Sequence, residues 1–425
     1  MGKKTNFIVL ALLVFISLFT AANYPELSSG IDSGDTAWML VASAFVLLMT
    51  PGLSFFYGGM VNKKSVISTM LQSFIALGVV SILWVVIGFS LAFGESIAGV
   101  IGNPLTYFNF RSVGAEPNAD FADSIPFLLF ALFQLKFAII TPALITGSLA
   151  ERVRFRSYIL FMVLFSIFIY SPLAHMTWHP DGLLRKWGVL DFAGGTVVHM
   201  SAGFAALAGA VFLGKRKEHN ETPANVPYVI LGTGLLWFGW FGFNAGSALG
   251  ANADAVIAFA NTNVASATAM ITWVFYERMV GRKMSAIGAC IGAVVGLVAI
   301  TPAAGFVNIG QSMFIGFASA IVCNWAISLK NKSKLDDTLD VFPTHGVGGI
   351  VGMILTAVFA SGVGLIYGET TTFLYHLLAL VLVAVFTFGG SWLLYKLTDI
   401  LIPMRVREDQ EDRGLDLSQH GEHFI

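Results

Sequence analysis

The sequence predicts an all-α polytopic membrane protein, and three observations carry that reading. Charged residues make up 12% of the 425, against about 25% in an ordinary soluble domain. Apolar windows about twenty residues long recur along the chain, the length a helix needs to cross hydrocarbon. The loops between those windows alternate in Lys and Arg content, as the loops of a membrane protein do. A net charge of −1 with no dominant basic face argues against a nucleic-acid partner.

The elements follow in order. Lys3 and Lys4 precede FIVLALLVFISLFTAA, an apolar run too short to span comfortably that ends in small residues. That is the layout of a signal peptide over residues 1–22, an uncleaved anchor helix being the alternative. A membrane domain over 23–407 comes next. Its apolar runs lie near 36–61, 65–93, 125–149, 157–175, 193–213, 227–249, 253–276, 284–300, 305–329, 341–366 and 371–401. These are eleven transmembrane helices: a first half over 36–213, a second over 227–366, and one long final helix over 371–401. The polar stretch 408–425 cannot span and reads as a cytoplasmic tail.

Loop charges set the orientation. One set of loops holds Lys63, Lys64, Arg152, Arg154, Arg156, Lys215, Arg216, Lys217, Arg278, Arg282, Lys283, Lys330, Lys332 and Lys334. The other holds Arg111, Arg185 and Lys186. Basic residues stay inside, so the topology is N-out and C-in, in the cell (inner) membrane. Eleven spans divide into five, five and one, and a second odd-numbered half must run inverted to the first. Asp191 lies eight residues before His199, and Asp337 lies eight before His345. Two inverted five-helix repeats would place a shared site near the midplane, between the halves.

Ionisable residues at that depth are costly and usually functional. A buried imidazole favours its neutral form, which both donates and accepts a hydrogen bond. His199 and His345 brought ring to ring would line an apolar tunnel with a narrow polar stripe. That suits a small hydrogen-bonding solute or a proton relay, and not a bare metal cation. Zinc needs three or four ligands; His175 and His179 in HMTWH have the spacing but sit in a predicted outer loop without partners. Cys290 and Cys323 fall inside apolar runs and read as packing residues. With no phosphate loop and no hydrolase motif, neither an enzyme, a metal site nor a cofactor is expected.

DFAGGTVVHMSAG (191–203), WFGFNAGS (240–247), DVFPTHGVGGIVG (340–352) and RGLDLSQHGE (413–422) resemble the motifs of the ammonium transporter (Amt/Mep/Rh) family, Amt branch. SFFYGGMV (54–61) and GSLAERVRF (147–155) fit as well, so the resemblance runs from about residue 36 to 422. It implies a homotrimer with one pore per subunit, carrying ammonium or ammonia. His199 and His345 resemble the twin pore histidines, and Asp191 the buried aspartate that supports the outer site. Phe137, Trp178 and Ser247 resemble the site that recruits the ammonium ion. Phe137 and Phe243 resemble the stacked gate, with Phe133 and Gln134 one turn away. Trp240 and Asn244 resemble the packing and hydrogen-bonding groups behind it. The resemblance also implies a tail that packs on the neighbouring subunit and a PII-type protein able to block the cytoplasmic mouth.

The chemistry of these residue types agrees. Cation–π attraction contributes roughly 0.5–2 kcal/mol, and a serine hydroxyl accepts one ammonium hydrogen where potassium would donate none. Beyond the rings, burying an unpaired ion costs more than removing its proton. For an ammonium ion titrating two to three units above neutrality, that removal costs roughly 3–4 kcal/mol. Lys136, beside the gate residue Phe137, departs from the family pattern, and so do Pro180 and Asp181 after Trp178. An ammonium sensor is the alternative function.

Overall fold

Residues 3–20, 30–217 and 222–424 are described by a computed structural model. Among these, sheet is confined to a short antiparallel pair, Ser96–Ile97 with Ile101–Gly102. Ten helices are long and apolar enough to cross a membrane. They are Ser33–Met60, Lys63–Phe93, Phe127–Leu149, Phe155–Lys186, Gly195–Leu213, Val226–Ala248, Ala253–Met279, Ile309–Lys332, Phe342–Phe359 and Thr370–Leu401. The predicted segment 284–300 is the shorter helix Ala286–Ile300, of 15 residues. At 1.5 Å per residue it is about 22 Å long. The N-terminal run forms a helix, Lys3–Phe19, with Ile8, Leu10 and Leu18 exposed. The predicted end of the signal peptide, at 21–22, falls outside the described residues.

Several starts are written into the sequence. The side chains of Asp32, Asn225, Asn252 and Ser285 each accept a backbone N–H from the first turn of the helix that follows. Asn308 and Gln311 exchange such bonds reciprocally. Each satisfies a donor that the helix cannot. Between Ser33–Met60 and Val226–Ala245 the backbones nearly touch, and a Cβ on Gly232 would strike the backbones of Gly52 and Phe56. Small residues at that crossing let dispersion act where lipid removes the hydrophobic drive between helices.

The two histidine segments share one construction. Asp191 accepts the N–H groups of Gly194 and Gly195 on one oxygen, and that of Thr196 on the other. Asp337 accepts those of Val341 and Phe342. Each carboxylate caps a helix whose opening turn is wide: His199 N–H reaches back five residues to Gly194, and Val347 N–H to Phe342. Widened turns of this kind gather at functional sites. The eight-residue spacing is therefore the distance from cap to histidine. Gly195 packs near Gly349, while Gly203 packs on Gly346. Residue numbers rise along one helix as they fall along the other, so the two segments cross in opposite senses.

The basic loops form one face, closed by ion pairs. Arg216 bridges Glu151 and Asp336, each at 3.0 Å, tying the first half to the second. The tail docks on the same face. The Asp416 carboxylate accepts Ile67 N–H at 3.0 Å and Ser68 N–H at 2.7 Å, at the start of Val66–Phe74. Lys217 pairs with Asp412, and Arg405 with Glu411.

Candidate functional site

Asp191 organises the outer side of the histidine helix. The Thr196 hydroxyl adds a fourth donor to its carboxylate, so both oxygens are committed. Its backbone carbonyl accepts the Trp178 indole N–H at 3.1 Å, which fixes that ring. Gly194 sits at φ +118, a left-handed conformation that a side chain would resist. Asp191 thus acts through the backbone it holds.

Phe137, Trp178, Ser247, Gln134 and Asp191 come together around a vestibule of about 290 Å³. Phe137 and Trp178 meet edge to face with centroids 5.7 Å apart. Ser247 donates its hydroxyl hydrogen to the Phe243 carbonyl at 2.9 Å, which leaves its lone pairs for a ligand. Asp120 and Arg185 are the other charged residues on the wall.

A stacked pair closes the vestibule. Phe137 and Phe243 lie 4.1 Å apart at 25°, both buried, and Phe133 backs Phe137 edge-on at 5.0 Å. Phe137 faces the vestibule, whereas Phe243 lines a second space of only about 10 Å³. That is room for about one water-sized molecule. His199 and His345 line it too, with their Nδ1 atoms 3.3 Å apart. Leu53, Ile140, Leu144, Val198 and Leu236 make the rest apolar. His199 Nε2 is buried and has no protein partner among the described residues.

Trp240 stacks on His199 at 5.4 Å and donates its indole N–H to Thr301. Asn244 donates to Thr262. Trp240 itself lines the small space, whereas Asn244 lies behind it. Lys136 is half-buried and lines neither space.

On the basic face lies a cavity of about 500 Å³, lined by Glu151, Lys215, Arg216, Lys330, Asp336 and Asp340 among others. Burial raises the Asp336 carboxyl, but its bonds to Arg216, with Arg152 beyond, win and hold it at about 2. Burial pushes Asp340 up to about 6 against the pull of Lys330, 2.7 Å away.

One expectation is corrected. His175 is buried within the helix Ser171–Trp178, not in a loop without partners. Its ring nitrogens lie 3.0 Å from the Ala92 carbonyl and 2.8 Å from the Ser96 hydroxyl, and His179 stacks on it at 4.3 Å. The helix runs on because Met176 and Thr177 have core to pack against. Sequence reasoning missed Thr177 and Thr301. Neither hydroxyl carries a positional signal, since threonine is common in apolar helices; only Thr177's place beside Trp178 pointed to it.

A stacked ring pair and paired imidazoles along an apolar interior, inside a bundle of membrane-length helices, mark a multi-pass membrane protein. A family model described as Ammonium Transporter Family matches residues 37–424. The ammonium transporter of Aquifex aeolicus is 46% identical over 416 residues, 96% of this chain and 97% of that one. That of Bacillus subtilis is 44% identical over 400 residues, 92% and 98% of the two chains. The crystal structure of Saccharomyces cerevisiae Mep2 superposes with a TM-score of 0.84 at 34% identity, covering 91% of this chain and 90% of that one. A structure described as a sensor Amt protein has the same TM-score at 29% identity, covering 91% and 98%. The chain belongs to the ammonium transporter family, and its function is ammonium transport.

Proposed function

We propose that this transporter recruits ammonium ion against Phe137, Trp178 and Ser247, strips its proton there, and passes ammonia between the Phe137–Phe243 stack and the histidine pair. The observation that carries this reading is the partition. A vestibule roomy enough for a hydrated cation is separated by one ring stack from a space of about 10 Å³ walled by aliphatic side chains and two imidazoles. An ion entering that space would lose its water and gain no counter-charge; a neutral ammonia would keep hydrogen bonds to His199 and His345. The proton passes to water in the open vestibule, and the 3.3 Å contact between the rings offers one link of a route for it past the stack. Ammonium jumps on reconstituted vesicles test this. Wild type should give a saturable current, and His199→Ala combined with His345→Ala should give none at equal levels of assembled protein. Full, selective current in the double variant would overturn the reading.

The assembly proposed around this pore is a homotrimer in the cell (inner) membrane with the basic face inside. Residues 1–22 serve as a signal peptide, 23–407 as the membrane domain and 408–425 as the cytoplasmic tail. The tail, docked on the loops, couples neighbouring subunits, and a PII-type protein closes the inner mouth. Impermeant labelling of intact cells at a cysteine replacing Ser418, but not at one replacing Ser112, would reverse this orientation.

A further inference from the structure

Ammonium carries four N–H donors, and a site that removes its water must return acceptors. The outer site as proposed above supplies one hydroxyl, Ser247, and two ring faces. Asp191 cannot add to that count, because both of its oxygens are taken by Gly194, Gly195 and Thr196. The Trp178 N–H is a donor and is spent on the Asp191 carbonyl. Asp120 apart, the ion is left short of side-chain acceptors on the remaining wall.

Two oxygens carried by residues of that wall are buried and have no protein partner among the described residues. They are Gln134 Oε1 and Thr177 Oγ1. Both residues line the vestibule, with 9% and 2% of their surfaces exposed. Gln134 lies on Phe127–Leu149, three residues before Phe137, so the two share a helix face. Thr177 immediately precedes Trp178. A helical threonine commonly returns its hydroxyl to the carbonyl four residues back, as Thr141 does to Phe137 and Thr233 to Val229. Thr177 makes no such bond. Native proteins rarely leave buried polar atoms unsatisfied, and those that remain call for a ligand or a function.

We propose that Gln134 and Thr177 are specificity-determining residues of the outer site, accepting ammonium hydrogens through Oε1 and Oγ1 beside Ser247. The inference rests on the aromatic recruitment reading and adds acceptors to it. Acceptors so placed select for donors. Ammonium and methylammonium, with four and three N–H groups, each lose one bond when one of the three acceptors is removed. Potassium, with none, loses no hydrogen bond.

The test measures concentration dependence of transport for ammonium and methylammonium, and competition by potassium, in reconstituted wild type, Thr177→Val, Thr177→Ser, Gln134→Leu and Trp178→Leu. Thr177→Val keeps shape and removes the hydroxyl. It should raise the half-saturating ammonium concentration about tenfold, the scale of one hydrogen bond to a charged group. Maximal rate should change little, the preference for ammonium over potassium should narrow, and Thr177→Ser should restore half-saturation and preference. Gln134→Leu should act in the same direction, and potassium should compete better in both variants. A merely structural role for either residue would lower protein level or maximal rate without moving the ammonium-to-potassium ratio. Unchanged half-saturation and ratio in Thr177→Val and Gln134→Leu, with Trp178→Leu impaired, would overturn this proposal and leave the recruitment site standing. Unchanged behaviour in all three would remove the recruitment site itself.

Discussion

The two capped histidine helices are built alike and open onto different mouths. Asp191 is closed in by four donors and holds Trp178 in place. It stands over a vestibule lined by rings, hydroxyls, an amide and the charged side chains of Asp120 and Arg185. Asp337 accepts two amides and stands beside a larger cavity ringed by paired charges. On the function proposed above, the difference separates two tasks. Selection needs directional acceptors and ring faces with little fixed charge, so that a cation is held by its hydrogens. Release needs only access to water, and there the charges pair with each other and lock one half of the molecule to the other.

The largest effect should distinguish the two caps. Asp191→Ala orphans three backbone N–H groups and a threonine hydroxyl in a dry setting. At about 1 kcal/mol for each bond, it should cost about 4 kcal/mol and remove most folded protein and all transport. Asp337→Ala orphans two amides and should cost about 2 kcal/mol, leaving measurable transport. Thermal melting of detergent-solubilised variants, paired with uptake, reads both. Equal losses would mean that the aspartates are interchangeable helix caps and that the contrast between mouths lies elsewhere.

Much of this was legible in the sequence, for physical reasons that can be named. The spans stood out because oil rejects charge. The histidine pair stood out because two ionisable residues at equal distance from two aspartates have no reason to sit in apolar runs unless the fold brings them together. The short helix Ala286–Ile300 was located correctly, but its length carries no hydropathy signal. The inner ion-pair lock was not legible: Arg216, Glu151 and Asp336 come from three separate loops, and nothing in their spacing announces that they meet. Thr177 was hidden for a similar reason. A threonine in an apolar helix satisfies itself by default, and only coordinates reveal one that does not.

The inner lock has a distinctive pH signature. Asp336 titrates near 2, below the ordinary carboxylate value of 3.8. A depressed carboxylate contributes stability that is present above its unfolded pKa and lost as pH falls through the folded one. The shift of nearly two units corresponds to about 2–3 kcal/mol. Asp336→Asn should therefore lower the melting temperature at pH 7, and the gap to wild type should shrink as pH drops from about 4 towards 2. Asp340 runs the other way. Its pKa of about 6 favours the folded state most below 3.8, and that contribution is lost as pH rises through 6. Asp340→Asn should then be neutral or stabilising at pH 7. A gap for Asp336→Asn that stays constant with pH would show that the lock is packing and not charge.

The smallest effects belong to the outer mouth and sharpen the comparison most. Trp178→Leu removes a ring face worth roughly 0.5–2 kcal/mol to a cation, so half-saturation for ammonium should rise by up to about thirtyfold. Ser247→Ala removes one acceptor for the charged ion and should raise it about tenfold, the scale of one hydrogen bond to a charged group. Ser247 also ties its hydroxyl to the Phe243 carbonyl at 2.9 Å, so part of that change could come from a loosened gate. The two causes separate by rate: a lost acceptor raises half-saturation alone, whereas a loosened gate changes maximal transport as well. Neither variant should alter melting as much as Asp336→Asn does, because Trp178 and Ser247 each give the protein a single hydrogen bond. If Trp178→Leu and Ser247→Ala both leave ammonium selectivity against potassium intact, discrimination lies at the ring stack and the histidines, and the vestibule is only an antechamber.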